Sequence, residues 1–208
     1  MNPVNFHLLC VTDRTQLAEG LLDDWLAILC WNGLRGVSLR EKDLDPEALL
    51  KLAVICRPIF NRHHIQWTVN GSVDVAHRAE STGVHLTSTQ DVAAARAVLG
   101  ASALIGRSVH STDEGIAAVR AGADYLVFGP VYVTPSKVAF GPPAGVLRLR
   151  ELADAVSAPV FAIGGMTPER AEECRTAGAH GVAVVSTLMQ SEAPDETLAR
   201  YEHALGKL

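Results

Sequence analysis

Short apolar runs rich in β-branched residues alternate with longer amphipathic stretches along the whole chain, and this alternation restricts the fold more than any other feature. The runs fall at 6–12, 36–40, 65–70, 83–86, 104–108, 125–129, 160–164 and 181–186 and read as strands. The stretches at 17–31, 46–59, 73–80, 91–99, 112–121, 145–156, 168–177 and 195–205 carry helical periodicity. A strand that always hands over to a helix pairs in parallel with the next strand, because the crossover returns the chain to the same end of the sheet. Eight such units in 208 residues predict an α/β fold, a single (β/α)8 TIM barrel forming one domain over residues 1–208, near the short end of that fold's range. A doubly wound open sheet is the rival. It usually carries a glycine-rich first turn, whereas the first strand here ends Val11-Thr12-Asp13-Arg14.

Boundary signals agree with this partition. Ser111-Thr112-Asp113-Glu114 and Thr167-Pro168-Glu169 put hydroxyls, acids and a proline where a helix N-terminus needs them. Ala121-Gly122, Ala177-Gly178 and Ser81-Thr82-Gly83 follow helix ends, where glycine accepts a left-handed cap.

Composition narrows the function. A net charge of −5 argues against a nucleic-acid-binding surface as the main role. No apolar run approaches the roughly 18–20 residues that span a bilayer. The first residues, MNPVNFHLLC, lack a basic segment followed by a long apolar one. A cytoplasmic protein with no nucleic-acid and no membrane partner is expected. Cys10, Cys30, Cys56 and Cys174 each sit in an apolar stretch without CxxC spacing, which reads as buried reduced thiols, and no clustered zinc ligands are present.

In a barrel, function collects where the strands end. The segment AIGGMTPER, residues 162–170, runs from a strand through two glycines into a capped helix. Glycine lets an oxyanion approach bare backbone N–H groups, so Gly164 and Gly165, with Val185 and Ser186 at the end of the eighth strand, read as a phosphate site. A tight turn alone is the other meaning of these glycines. Arg40, Lys42 and Lys137 come from distant segments yet would face one mouth, which suits a phosphorylated or carboxylated ligand. Each alone would read as a solvated loop charge. Ser108 and His110 are two apart on a strand and so share a face. An imidazole titrates near neutral pH and can shuttle a proton, or it can cap the next helix. His85 reads as structural, and His63, His64 and His203 as surface. No Ser–His–acid order and no HExxH pattern appears, which argues against a hydrolase.

Several segments together carry a family likeness: Leu39-Arg40-Glu41-Lys42, Val69-Asn70-Gly71, Gly83-Val84-His85-Leu86, Ile105-Gly106-Arg107-Ser108-Val109-His110-Ser111, Phe128-Gly129-Pro130-Val131, Thr134 to Lys137, and Ala162-Ile163-Gly164-Gly165. In this order and spacing the chain resembles the thiamine phosphate synthase / TenI superfamily over almost its whole length. The resemblance implies a phosphorylated heterocycle as ligand, contacted by Arg40, Lys42, Asn70, Ser108, Thr134 and Lys137. In the synthases a pyrimidine diphosphate is coupled to a thiazole phosphate, with Mg²⁺ held by two aspartates. One aspartate follows the strand 3 asparagine and the other comes just after strand 4. Here Gly71 takes the first place, and in Thr87-Ser88-Thr89-Gln90-Asp91 the acid is displaced by one residue. Glycine offers a hard cation no ligand atom. TenI-type members also carry Asn-Gly at this point. The resemblance therefore implies a thiazole tautomerase that aromatises a thiazole carboxylate phosphate with His110 as acid/base, no cofactor and no metal. Two alternatives stay open: a thiamine phosphate synthase using Mg²⁺, and a non-catalytic regulator that binds a phosphorylated ligand. Barrels of this size often pair, and the apolar stretches near Trp25 and Trp31 could serve a homodimer; burial against the barrel explains them equally well.

Overall fold

The computed structural model describes residues 1–17, 21–134 and 141–206. Its strands are β1 (Leu8–Val11), β2 (Gly36–Leu39), β3 (Gln66–Asn70), β4 (Gly83–Leu86), β5 (Leu104–Val109), β6 (Tyr125–Phe128), β7 (Val160–Ile163) and β8 (Gly181–Val184). Each pairs in parallel with the next, and β8 pairs with β1, so the sheet closes into a barrel. The helices are α1 (Leu22–Trp31), α2 (Pro46–Arg62), α3 (Val73–Arg78), α4 (Val92–Leu99), α5 (Thr112–Arg120), α6 (Gly145–Ala155), α7 (Pro168–Thr176), α8 (Ser186–Met189) and α9 (Pro194–Leu205). Among the described residues no helix is long and apolar enough to cross a membrane.

Local chemistry accounts for most helix starts. Asp45, Ser72, Asp91, Ser111 and Thr167 each accept a hydrogen bond from a backbone N–H of the first turn they cap. Pro46 and Pro168 occupy first-turn positions where no N–H donor is missed.

The structure departs from the expected partition in three places. The first helix begins at Leu22 rather than 17, and a 3₁₀ turn occupies Arg14–Gln16. The eighth strand stops at Val184; Val185 takes ψ −87°, which turns the chain out of the sheet into the short α8. Near the end of α3 the left-handed residue is Glu80 (φ 53°), not Gly83. Gly83 lies in β4, where a Cβ would stand 1.8 Å from the Leu104 carbonyl oxygen.

Two cores result. The larger lies between sheet and helices and takes in all four cysteines, which are free and buried. Burial pushes the Cys30 and Cys56 thiols up to about 12 and Cys174 to about 11, so they stay protonated and unreactive. The smaller fills the barrel with Phe6, Leu9, Val11, Leu104, Tyr125, Val127, Phe161 and Ala183. Trp25 is buried under α1, whereas Trp31 is 72% exposed and meets His63 edge-on.

The interior is not apolar all round. Ser38, Thr68 and His85 are buried on β2 to β4. Gly106 makes room for this side: a Cβ there would lie 2.0 Å from Tyr125 Cζ. Substituting Gly106→Ala therefore overpacks the barrel and displaces Tyr125. We expect a loss of about 2 kcal/mol and a thermal midpoint lowered by roughly 4–8 °C, followed by circular dichroism. An unchanged midpoint would show that Tyr125 can shift at no cost.

Candidate active site

At the ends of β1 and β2 a buried carboxylate organises the rim. Thr12 Oγ1 donates to Glu41 Oε1 at 2.5 Å, and the Arg14 N–H donates to Glu41 Oε2 at 2.8 Å. The Arg40 N–H in turn donates to Thr12 Oγ1 at 2.9 Å. Burial raises the Glu41 pKa, and the bonds from Thr12 and Arg14 oppose it. Arg40 is half-buried. Burial lowers its pKa, while Asp13 and Glu41 favour its charge. Lys42 is exposed beside it.

The loops after β3 and β4 are tied to each other. The Gly71 N–H donates to the His85 carbonyl at 2.8 Å, Gln90 Nε2 donates to the Gly71 carbonyl at 2.7 Å, and Gln90 Oε1 accepts from the Thr87 N–H at 2.9 Å. Asn70 is half-buried at the end of β3, in register with His85. A magnesium ion here would need carboxylate oxygens. Gly71 has none and takes φ +76°, and Asp91 Oδ1 caps α4 by accepting from the Ala93 and Ala94 N–H groups at 2.7 and 3.1 Å. Among the described residues no group of three or more His, Cys, Asp or Glu side chains is placed to hold a metal ion. Gly71 therefore cannot supply the first of the two carboxylates that the family resemblance calls for, and one oxygen of Asp91 is engaged at the start of α4.

Around β5 and β6 two histidines have different surroundings. His85 is buried, with Nδ1 3.1 Å from the Tyr125 hydroxyl and Nε2 2.9 Å from Ser108 Oγ. Burial, reinforced by the Arg40 charge, lowers its pKa to about 4, so it is neutral at physiological pH. His110 is exposed just beyond β5. Its Nδ1 lies 2.6 Å from the Gly129 carbonyl, and its backbone N–H donates to Glu114 Oε2 at 2.8 Å. A carbonyl only accepts, so in the neutral ring Nδ1 carries the proton and Nε2 keeps its lone pair.

The glycine turn after β7 packs against the same segment. Gly164 and Gly165 take φ +100° and +65°. A Cβ on Gly164 would stand 2.6 Å from Pro130 Cβ, and one on Gly165 would stand 2.7 Å from the Val133 carbonyl. The Val131 and Tyr132 N–H groups donate to Ile163 and Gly164 carbonyls at 2.8 and 3.2 Å. Gly129 thus meets the imidazole while its neighbour Pro130 meets the glycine turn. Val185 is half-buried and exposed Ser186 opens α8. A cavity of about 400 Å³, lined by Pro130, Tyr132, Thr134 and Pro142 among others, opens beside this turn. Lys137 lies outside the described residues.

Two contributors escape a reading of the sequence alone. The Arg170 guanidinium lies 4.6 Å from the Tyr132 ring centroid and donates to the Gly165 carbonyl, placing a cation at the glycine turn. In the sequence it reads only as a first-turn residue of α7. Glu41 stands beside the more obvious cations, and its role emerges only from Thr12 across the strand pair.

The sequence pattern of the family described as Thiamine monophosphate synthase matches residues 8–188. A provisionally named thiamine-phosphate synthase of Geobacter sulfurreducens is 42% identical over 94% of this chain and 92% of its own. A thiamine-phosphate synthase of Methanocella arvoryzae is 38% identical over 91% and 90%. Among solved structures, the thiamine phosphate pyrophosphorylase from Pyrococcus furiosus superposes with a TM-score of 0.86 at 26% identity, covering 95% of this chain and 94% of that one. These names favour the coupling reaction over the tautomerisation that the sequence resemblance implied.

Burial of His85 has a consequence for acid stability. Its folded pKa lies below the unfolded value of about 6.5, so the unfolded chain takes up the proton first. Stability is full above about pH 6.5 and falls as pH drops toward 4, by on the order of 3 kcal/mol from this group. His7 and His180 are shifted the same way by burial. Denaturant melts of His85→Gln between pH 7.5 and 4.5 should show a shallower decline than the parent protein; an identical slope would mean that His85 does not titrate on unfolding.

Proposed function

Because the chain belongs to the thiamine monophosphate synthase family, we propose that its barrel mouth binds a phosphorylated thiazole and tautomerises it by proton transfer through His110. The observation that carries this reading is the His110 geometry. With Nδ1–H spent on the Gly129 carbonyl at 2.6 Å, Nε2 of an exposed ring can take a proton from one position of a bound heterocycle and return it to another. Double bonds shift as the proton moves, but no bond between heavy atoms is made or broken, and no oxidant or co-substrate is needed. Binding energy from a remote phosphate, held by the Gly164–Gly165 turn, Ser186 and the Arg170 charge, would keep the ring against the imidazole. The rim between β3 and β4 supports the same reading, since it offers no carboxylate pair to bind a cation and draw off a diphosphate. The reading needs no cofactor.

A second reading, thiamine phosphate synthase, is favoured by the names of the relatives. Arg40, Lys42, Asn70 and Ser108 suit a diphosphate and a pyrimidine as well as they suit a carboxylated thiazole. The two reactions differ in what they consume, so purified protein separates them. We expect conversion of thiazole carboxylate phosphate without added metal, unaffected by EDTA. His110→Asn should lower kcat by about 10²-fold or more and leave affinity for the aromatic product within about twofold. Undiminished turnover by His110→Asn would refute the proton-transfer role. Magnesium-dependent coupling of the two precursors, with no tautomerisation, would establish the second reading instead.

A further inference from the structure

We propose that Tyr125 and His85 are positioning residues that hold Ser108 as a hydrogen-bond donor toward a substrate oxyanion remote from the glycine turn. The proposal rests on the mouth being the substrate site, as argued above. It begins inside the barrel, where three side chains from neighbouring strands form a chain: Tyr125 on β6, His85 on β4 and Ser108 on β5.

The direction of these hydrogen bonds can be reasoned out. A neutral imidazole donates from one nitrogen and accepts at the other. Burial holds the Tyr125 hydroxyl protonated, so it must donate. Its nearer acceptor is His85 Nδ1 at 3.1 Å; Thr68 Oγ1 lies at 3.4 Å. If Tyr125 donates to Nδ1, then Nε2 carries the ring proton and donates to Ser108 Oγ. The Ser108 hydroxyl proton is then directed away from His85. The reverse polarity would leave Tyr125 only the longer contact and would turn the serine proton inward. Gly106 enforces the arrangement, because any side chain there would push the Tyr125 ring off His85.

Ser108 is half-buried near the top of β5, two strands from β7, which Gly164 follows. Arg40 lies close enough to His85 to act on its charge, so it also discourages protonation that would make both ring nitrogens donors. A fixed hydroxyl donor on a rim that also carries the half-buried Arg40 guanidinium suits an oxyanion. On this rim the oxyanion is either a carboxylate on the thiazole or the diphosphate of a second substrate, and the ligands below separate the two.

The polarity is read directly from ¹⁵N-histidine NMR of the intact protein. His85 should be the Nε2–H tautomer, and Tyr125→Phe should shift it toward the other. An Nδ1–H tautomer in the parent protein overturns the proposal whatever the enzyme does. Calorimetric titration of the parent, Ser108→Ala and Tyr125→Phe then uses thiazole carboxylate phosphate, thiazole phosphate lacking the carboxylate, and inorganic pyrophosphate. Ser108→Ala should weaken the carboxylated ligand about tenfold, Tyr125→Phe about threefold to fivefold, and the carboxylate-free ligand less than twofold. The same selective loss for pyrophosphate instead assigns the oxyanion to the diphosphate. Equal losses for all three ligands would mean a merely structural role and reject the proposal. If no probe binds the parent protein while the tautomer is as expected, the substrate reading fails and the oxyanion role with it, leaving only the hydrogen-bond direction.

Discussion

Tyr125 stands inside a closed parallel sheet, and its hydroxyl has no route to water, so it needs a partner within the barrel. An unpaired buried hydroxyl costs about 1–3 kcal/mol, and His85 supplies the partner at 3.1 Å. That one requirement propagates. The ring of His85 must be neutral, Gly106 must lack a side chain, and Ser108 must close the chain at the top. The other side of the interior, with Leu9, Val11, Phe161 and Ala183, is filled by apolar packing alone. The barrel therefore has a polar flank under β2 to β5 and an apolar flank under β7, β8 and β1.

The rim inherits this division. Above the apolar flank stands the turn proposed to hold the phosphate through its backbone, the left-handed Gly164 and Gly165 beside Arg170. Above the polar flank, side chains stand on a tied base: Glu41 holds Thr12, which holds the Arg40 backbone, and Gln90 bridges the loops after β3 and β4. His110 sits between the two flanks, oriented by a carbonyl of the segment that also packs on the glycine turn. Departure of a diphosphate places large negative charge on the leaving group, which calls for concentrated positive charge at the rim. Moving a proton around a ring does not. The rim between β3 and β4, with Gly71 and a helix-capping Asp91, suits the lesser demand, even though the relatives' names speak for the greater one.

Much of the fold was legible because its signals are local. Alternating periodicity, helix caps such as Ser111 and Thr167, and glycines after helices all lie within a few residues of what they determine, and closure of the barrel follows from repetition. What stayed hidden depends on neighbours distant in sequence. His85 reads as structural because nothing near it shows Ser108, 23 residues on, or Tyr125, 40 residues on. Arg170 reads only as a first-turn residue of α7 because Tyr132 is brought to it only by the pairing of β6 with β7. The short α8 is hidden because Ser186-Thr187-Leu188-Met189 is too brief for periodicity to separate it from a strand end.

The central claim is that a ring anchored by its phosphate meets the Nε2 atom of His110 with no divalent cation between substrate and protein. A crystal structure of the protein with thiazole carboxylate phosphate, grown in the presence of magnesium, tests it most directly. The account predicts phosphate density at the Gly164–Gly165 turn, the heterocycle within hydrogen-bond reach of Nε2, and no cation at the loops after β3 and β4. A magnesium ion bound by Asp91 or Asn70, or a ring lying away from the imidazole, would contradict it.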